Sequence, residues 1–178
     1  MSFGVELQSG CWRQASTSSS IPRIVVLVGL PGSGKSTYLR DLGVSSISSD
    51  AVRELLIDDA TNQTIHGQVF ASMRYLLRHR LLLRRPVTYV DATHLTLRDR
   101  RPYIAMGRLY DCDVEALFFD VPLAVCKERN LRRSRVVPDA VIDLLASRLV
   151  VPTVAEGFHA VHRATSVAPV PTVKPGRE

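Results

Sequence analysis

Ile24-Val25-Val26-Leu27-Val28-Gly29-Leu30-Pro31-Gly32-Ser33-Gly34-Lys35-Ser36-Thr37 is the stretch from which the fold can be read. Its aliphatic run ends in glycine, which suits a strand buried on both faces at the centre of a parallel sheet. From Gly29 to Ser36 the residues satisfy G-x-x-x-x-G-K-[ST] at every fixed position, after a strand and before a helix. Glycines let the backbone wrap closely around an anion. Successive amides and the helix N-terminus then face that anion. Lys35 would bridge the β- and γ-phosphates of a nucleoside triphosphate, and Ser36 would ligate Mg²⁺. Thr37 adds a second hydroxyl. Gly29, Leu30, Pro31, Gly32, Ser33, Gly34, Lys35, Ser36 and Thr37 are therefore the candidate ATP-binding loop, with ATP and Mg²⁺ as the expected ligands.

Outward from this loop, apolar strands alternate with helical segments. Strands are expected over 24–28, 44–48, 87–90, 114–120 and 158–164. Helices are expected over 35–42, 51–57, 63–84, 97–110, 122–131 and 138–150. The long helix over 63–84 would bury Ile65, Val69, Met73, Leu76 and Leu77 on one face. Pro102 falls near the first turn of its helix, where proline is tolerated, and Pro122 suits the first position of the next. The alternation implies an α/β fold of three layers, a P-loop NTPase with a parallel sheet of about five strands and right-handed crossovers. The serine-rich segment 1–20 reads as a flexible N-terminal arm. Pro169, Pro171, Pro175 and Gly176 make 167–178 a flexible tail. One kinase-sized domain, 21–166, is left between them.

The chain of 178 residues carries a net charge of +6, and among its 23 basic residues only Lys35, Lys127 and Lys174 are lysines. Arginine's planar fork suits phosphate oxygens, so the surplus is consistent with a polyanionic partner such as nucleic acid. No apolar run approaches the roughly 18 residues of a membrane span. The first residues lack the apolar core of a secretory signal. Cys11, Cys112 and Cys126 are odd in number and lack metal-ligand spacing, which argues against a disulfide framework and a zinc site. The expected compartment is the cytoplasm.

A phosphate loop alone does not separate switch, motor and kinase. Asp50-x-x-Arg53 follows the second strand, so Asp50 stands at a carboxyl edge, where ligands of open α/β sheets bind. A carboxylate there suits a general base taking the proton of an attacking hydroxyl. Arg53, three residues on, falls on the same side and could hold an acceptor's phosphate. A plain helix N-cap is the structural alternative for Asp50. The third strand ends in Asp91-Ala92-Thr93-His94, and Asp91 suits a second carboxylate on the Mg²⁺ side, bound directly or through water. A turn-capping role is its alternative. His94 has no partner histidine at ligand spacing and reads as an ordinary polar residue. Arg129, Arg132, Arg133 and Arg135 fall within seven residues and make a cationic lid suited to stabilising a transferring phosphoryl group. Arg74 and Arg78 on the long helix read as a solvated face, or else as a track for nucleic acid.

Taken together, these motifs resemble the kinase modules of phage and bacterial end-healing polynucleotide kinases. Also similar are Asp58-Asp59-x-x-Asn62-Gln63, Val69-Phe70, and Phe119-Asp120-Val121-Pro122 ahead of Arg129-Asn130. The resemblance spans residues 21–158. It implies an adenylate-kinase-like core that moves the γ-phosphate of ATP onto a 5′-hydroxyl of RNA or DNA. It implies Asp50 as general base, with Arg53, Asp91 and Thr93 on the acceptor side. Arg129 and one of Arg132, Arg133 and Arg135 would contact the ATP phosphates, with Lys35, Arg129 and Arg133 joining Asp50 as catalytic residues. The metal would lie at Ser36, with Asp50 or Asp91 behind it. Two departures stand out. His94 occupies a position where Asn is usual, and the length leaves no room for a fused phosphatase or ligase. The resemblance then implies a stand-alone kinase, or a partner of a separately encoded phosphatase or ligase. Two other functions fit the same scaffold: a kinase of an antibiotic, sugar or nucleoside, and an ATP-binding regulatory module.

Overall fold

The structure, a computed structural model, describes residues 21–133 and 135–164. The arm expected over 1–20 and the tail over 167–178 lie outside the described residues. The sheet has five strands in the order β2-β3-β1-β4-β5, and every pairing is parallel. They are β1 (Arg23–Val28), β2 (Ser46–Ser48), β3 (Val87–Asp91), β4 (Asp113–Phe119) and β5 (Ala160–Ala164). The helices are α1 (Lys35–Asp41), α2 (Ser49–Ile57), α3 (His66–Leu82), α4 (Leu97–Tyr110), α5 (Leu123–Leu131) and α6 (Asp139–Arg148), with a 3₁₀ turn at Val154–Glu156. The expected five-stranded α/β fold is present.

Strand β1 shows why its run is uninterrupted. Ile24, Val26 and Val28 join one core with Val69, Met73 and Leu77 of α3 and Tyr103 and Ile104 of α4. Val25 and Leu27 point the other way and pack with Leu39 of α1. Both pleat faces are covered, so no polar residue is tolerated. Leu30, Leu95 and Cys126 form a third cluster beneath α5 and α6. Between β3 and β4 the chain passes over β1, so the carboxyl end of β1 lies at a reversal of strand order, where open α/β sheets form their ligand crevice. No helix among the described residues is long and apolar enough to cross a membrane.

The structure corrects several local expectations. Helix α3 starts at His66, with Ile65 as its cap, because the preceding turns are closed by side chains: Asp59 accepts from Thr61 and Asn62 from Thr64. Its buried row is Val69, Met73, Leu77 and Leu81, a strict four-residue step, which leaves Leu76 exposed. Pro102 sits in the second turn of α4 rather than the first. Pro122 caps α5 from outside instead of opening it. Ser48, not Asp50, caps α2: its side chain accepts from the Ala51 amide.

Candidate active site

The phosphate loop is shaped by close backbone approach. Gly32 has φ of 80°, and a Cβ there would stand 2.2 Å from the Cys126 carbonyl oxygen of α5. Only glycine permits both the left-handed backbone and that contact. Gly34, at φ 97°, caps α1 without a side chain. The Gly29 amide donates to the Thr93 carbonyl at 3.1 Å, tying the loop to the segment after β3.

Lys35 is buried, and its Nζ donates to the carbonyls of Gly29 and Leu30, both at 2.8 Å. Burial pulls its pKa down to about 8; the nearby Asp91 carboxylate works against that pull. Asp91 is buried as well, and burial raises its carboxyl while Lys35 opposes the rise. Ser36 Oγ donates to Asp91 Oδ2 at 3.0 Å, which brings together two hard oxygen donors suited to Mg²⁺. No cluster of three or more acidic, His or Cys side chains that could hold a metal exists among the described residues. Such an ion would therefore be held jointly with nucleotide phosphates, the usual Mg²⁺ arrangement.

Across the crevice, Asp50 lies in the first turn of α2 with its carboxylate half-exposed. Arg53 Nη1 donates to Asp50 Oδ1 at 2.9 Å, as the three-residue spacing predicts. The same nitrogen reaches the Ala60 carbonyl at 3.4 Å. Arg53 is buried and its Nε has no partner. Asp50 Oδ2 accepts no hydrogen bond from a described residue.

The lid arginines go to different places. Arg129 is half-buried, with Nη1 3.9 Å from where a Cβ on Gly34 would stand. Arg133 is close enough to Lys35 and Asp91 for its charge to act on both. Arg132 turns outward to Glu128 on the exposed surface of α5. Arg135 reaches instead to the Asp50–Arg53 pair, donating to the Ala60 carbonyl at 2.7 Å with Asp50 Oδ1 at 3.6 Å. The lid base is fixed by the fully buried Asn130, whose amide donates to and accepts from Val137 at 2.7 and 3.0 Å.

His94 has a structural place in the core. It is buried at φ 44°, and its Nδ1 lies 2.8 Å from the Leu27 carbonyl. Burial lowers its pKa to about 4 and keeps it neutral. The turn demands a left-handed backbone, which Asn and His both adopt more readily than most residues. Sequence reasoning missed Arg100 and Glu156. Arg100 is fully buried and binds Glu156 in a bidentate pair at 2.8 and 2.7 Å. Its Nη1 also donates to the carbonyls of His94, Leu95 and Val150, each at 3.0 Å. This clamp ties the segment after Thr93 to the chain at Val150 and Glu156. No spacing in the sequence marks it, since Arg100 and Glu156 are 56 residues apart.

A protein family described as AAA domain matches residues 24–152. Among solved structures, a chain of the Pnkp1/Rnl/Hen1 RNA repair complex is similar with a TM-score of 0.62 and 22% identity. The similarity covers 75% of this chain and 46% of that one, so this chain spans under half its length. A gluconokinase from Sinorhizobium meliloti 1021 gives a TM-score of 0.52 at 19% identity, covering 84% of this chain and 85% of its own. The Mycobacterium tuberculosis APS kinase CysC, in complex with AMPPNP and APS, gives 0.51 at 18%, covering 82% and 89%. No curated protein matches the sequence.

Proposed function

The chain belongs to the AAA domain family that matches it over 24–152 and has a P-loop kinase fold, and on that premise we propose that it transfers the γ-phosphate of ATP to a 5′-hydroxyl end of RNA or DNA. The observation that carries the proposal is the Asp50–Arg53 pair near the cradle: Oδ1 is held by Arg53 at 2.9 Å while Oδ2 accepts no hydrogen bond from a described residue. A free carboxylate oxygen, fixed by an arginine that can also bind the acceptor, suits a base for a hydroxyl next to a phosphate.

In the proposed reaction, Asp50 Oδ2 accepts the proton of the 5′-hydroxyl as the hydroxyl oxygen forms its bond to the γ-phosphorus. The bond from γ-phosphorus to the bridging oxygen breaks, and the electron pair leaves on ADP. Lys35, the loop amides, Arg129 and Arg133 hold the triphosphate and stabilise charge on the transferring group. Ser36 and Asp91 are the residues that would hold Mg²⁺. When bound, that ion neutralises charge on the phosphate oxygens. Thr93 lines the acceptor side next to Asp91.

A second assignment, a small-molecule kinase, is favoured by one observation. The gluconokinase and the APS kinase match this chain along 85% and 89% of their own lengths. Transfer of label from γ-labelled ATP separates the two. The acceptors are 5′-hydroxyl RNA and DNA oligonucleotides, nucleosides, sugars and small alcohols. Labelled oligonucleotide, absent with Lys35→Ala and Asp50→Ala, supports the end-kinase function. Label found only on a small molecule moves the function to the second assignment, and full activity in Asp50→Ala removes Asp50 as the base.

A further inference from the structure

Helix α4 carries a second cationic surface, set apart from the lid. Arg98, Arg101 and Arg108 fall within about 80° of arc on this helix and span about 15 Å of its length. All three are exposed, and together they line a groove of about 640 Å³ that also touches the 3₁₀ turn. Among the described residues, none of the three makes an ion pair. Glu156, the one carboxylate lining the groove, is committed to Arg100 in the bidentate pair. Asp99, on the same helix, accepts from the Thr96 amide in the N-terminal cap. Three positive charges therefore share one groove with no anion to balance them. Like charges one turn apart repel, and a bound anion relieves that repulsion. Arg108 is also given its place by packing, since a Cβ on Gly157 would stand 2.8 Å from its Nη2.

From this groove we infer a nucleic-acid exosite: Arg98, Arg101 and Arg108 bind internal phosphodiesters of a single-stranded RNA or DNA acceptor, away from its reacting end. The inference rests on the end-kinase function and adds to it a surface outside the crevice. The groove opens at the correct edge of the sheet. The Thr93 carbonyl is tied to the Gly29 amide, and Arg98 follows five residues later, so at most about 18 Å of chain separates the two. Arginine's planar fork matches phosphate oxygens. Leu97 and Ile104 give the same groove apolar surface, against which unpaired bases can pack, and a cationic groove with such surface is how single strands are held. Asp111 and Asp113 line the adjoining cavity past Arg108 and end the track there.

The test uses the full chain and a 3′-labelled single strand of about 15 nucleotides, its 5′ end already phosphorylated so that no transfer occurs. Fluorescence anisotropy reads binding in wild type, in Arg98→Ala/Arg101→Ala/Arg108→Ala and in the matching triple lysine variant. Arg40→Ala/Arg163→Ala, at exposed arginines elsewhere, is the control for net charge. Loss of the three contacts should weaken binding roughly ten- to a hundredfold at low salt. The slope of log affinity against log salt should shrink by about 2. The lysine variant should keep most of the affinity, and the control should lose little. With a 5′-hydroxyl strand of the same length, kcat/KM should fall by the same factor in the triple alanine variant, while a dinucleotide acceptor is unaffected. Equal loss per charge removed in the control would overturn the proposal, because net charge alone would then explain the binding. Tighter binding of a polyglutamate peptide than of the oligonucleotide through the same arginines would also overturn it and assign the groove to an acidic protein. Binding that depends on the three arginines in a protein that phosphorylates no 5′-hydroxyl end would refute the end-kinase function and leave the groove a nucleic-acid site. Transfer that is indifferent to acceptor length and to the three arginines does the reverse.

Discussion

Binding of a nucleoside triphosphate at pH 8 should draw about half a proton per protein from solution. In the free protein Lys35 is buried against two backbone carbonyls, and its pKa falls to about 8. About half the molecules are then neutral at pH 8, about one-tenth at pH 7 and about nine-tenths at pH 9. A polyphosphate placed against the amine favours the charged form, because an opposite charge at contact raises an amine's pKa. Binding therefore raises the lysine pKa, and the sign is uptake. The last ionisation of a phosphate lies near pH 6, so the ligand contributes little at pH 8. Calorimetric titration with a non-hydrolysable ATP analogue, repeated in buffers of different ionisation enthalpy, measures the proton count. It should be about 0.1 at pH 7, about 0.5 at pH 8 and about 0.9 at pH 9. Affinity should fall toward tenfold per pH unit above pH 8. In Asp91→Asn the same curve should move to lower pH, since Asp91 raises the lysine's pKa. Buffer-independent heats at pH 8 and 9 would show that Lys35 is already fully charged and would refute the reasoning.

Three further outcomes are expected. Glu156→Ala leaves the fully buried Arg100 guanidinium without its carboxylate, a change worth about 3–5 kcal/mol. The melting temperature by scanning calorimetry should drop on the order of 10 °C, and an unchanged value would mean that the clamp contributes nothing. Gly32→Ala should abolish triphosphate binding, because its Cβ would stand 2.2 Å from a backbone oxygen. Gly43→Ala has φ of 65° but nothing within 4 Å and should cost only about 1–2 kcal/mol of backbone strain; equal loss of binding in the two would contradict the steric account. His94 has a folded-state pKa of about 4 against 6.5 when unfolded. The unfolded chain therefore takes up the proton first, and stability present above pH 6.5 is lost as pH falls toward 4, by up to about 3 kcal/mol. His94→Asn should lose that part of the acid sensitivity in denaturant titrations between pH 7 and pH 4, and an unchanged pH dependence would exclude His94 as its source.

The parts of the site that the sequence predicts are those whose geometry is local. Gly29 to Ser36 form their turn because the left-handed backbone at Gly32 and Gly34 requires glycine, and Asp50 meets Arg53 because three residues is nearly one helical turn. The buried aliphatic run of β1 is equally local. Beyond such spans the sequence is less informative. Leu76 looks like a core residue by spacing, yet the row at Val69, Met73, Leu77 and Leu81 takes the buried face. Arg100 carries no mark of burial, because its partners arrive from Leu95, Val150 and Glu156.

The lid shows the limit most clearly. Helix α5 ends at Leu131, so no period relates Arg132, Arg133 and Arg135 to one another. Their directions come from contacts that the spacing cannot express. Arg132 keeps the helical register and pairs with Glu128 four residues back. Arg135 is set by the Asn130–Val137 bonds, which fold the lid base, and by a carbonyl 75 residues away. An arginine cluster thus looks uniform in sequence and divides in space. Arg129 and Arg133 face the phosphate cradle, while Arg135 faces the carboxylate of Asp50. The division places cations on both sides of the crevice within one short segment. A ligand with phosphate on both its donor and its acceptor is the kind that would engage both sides at once.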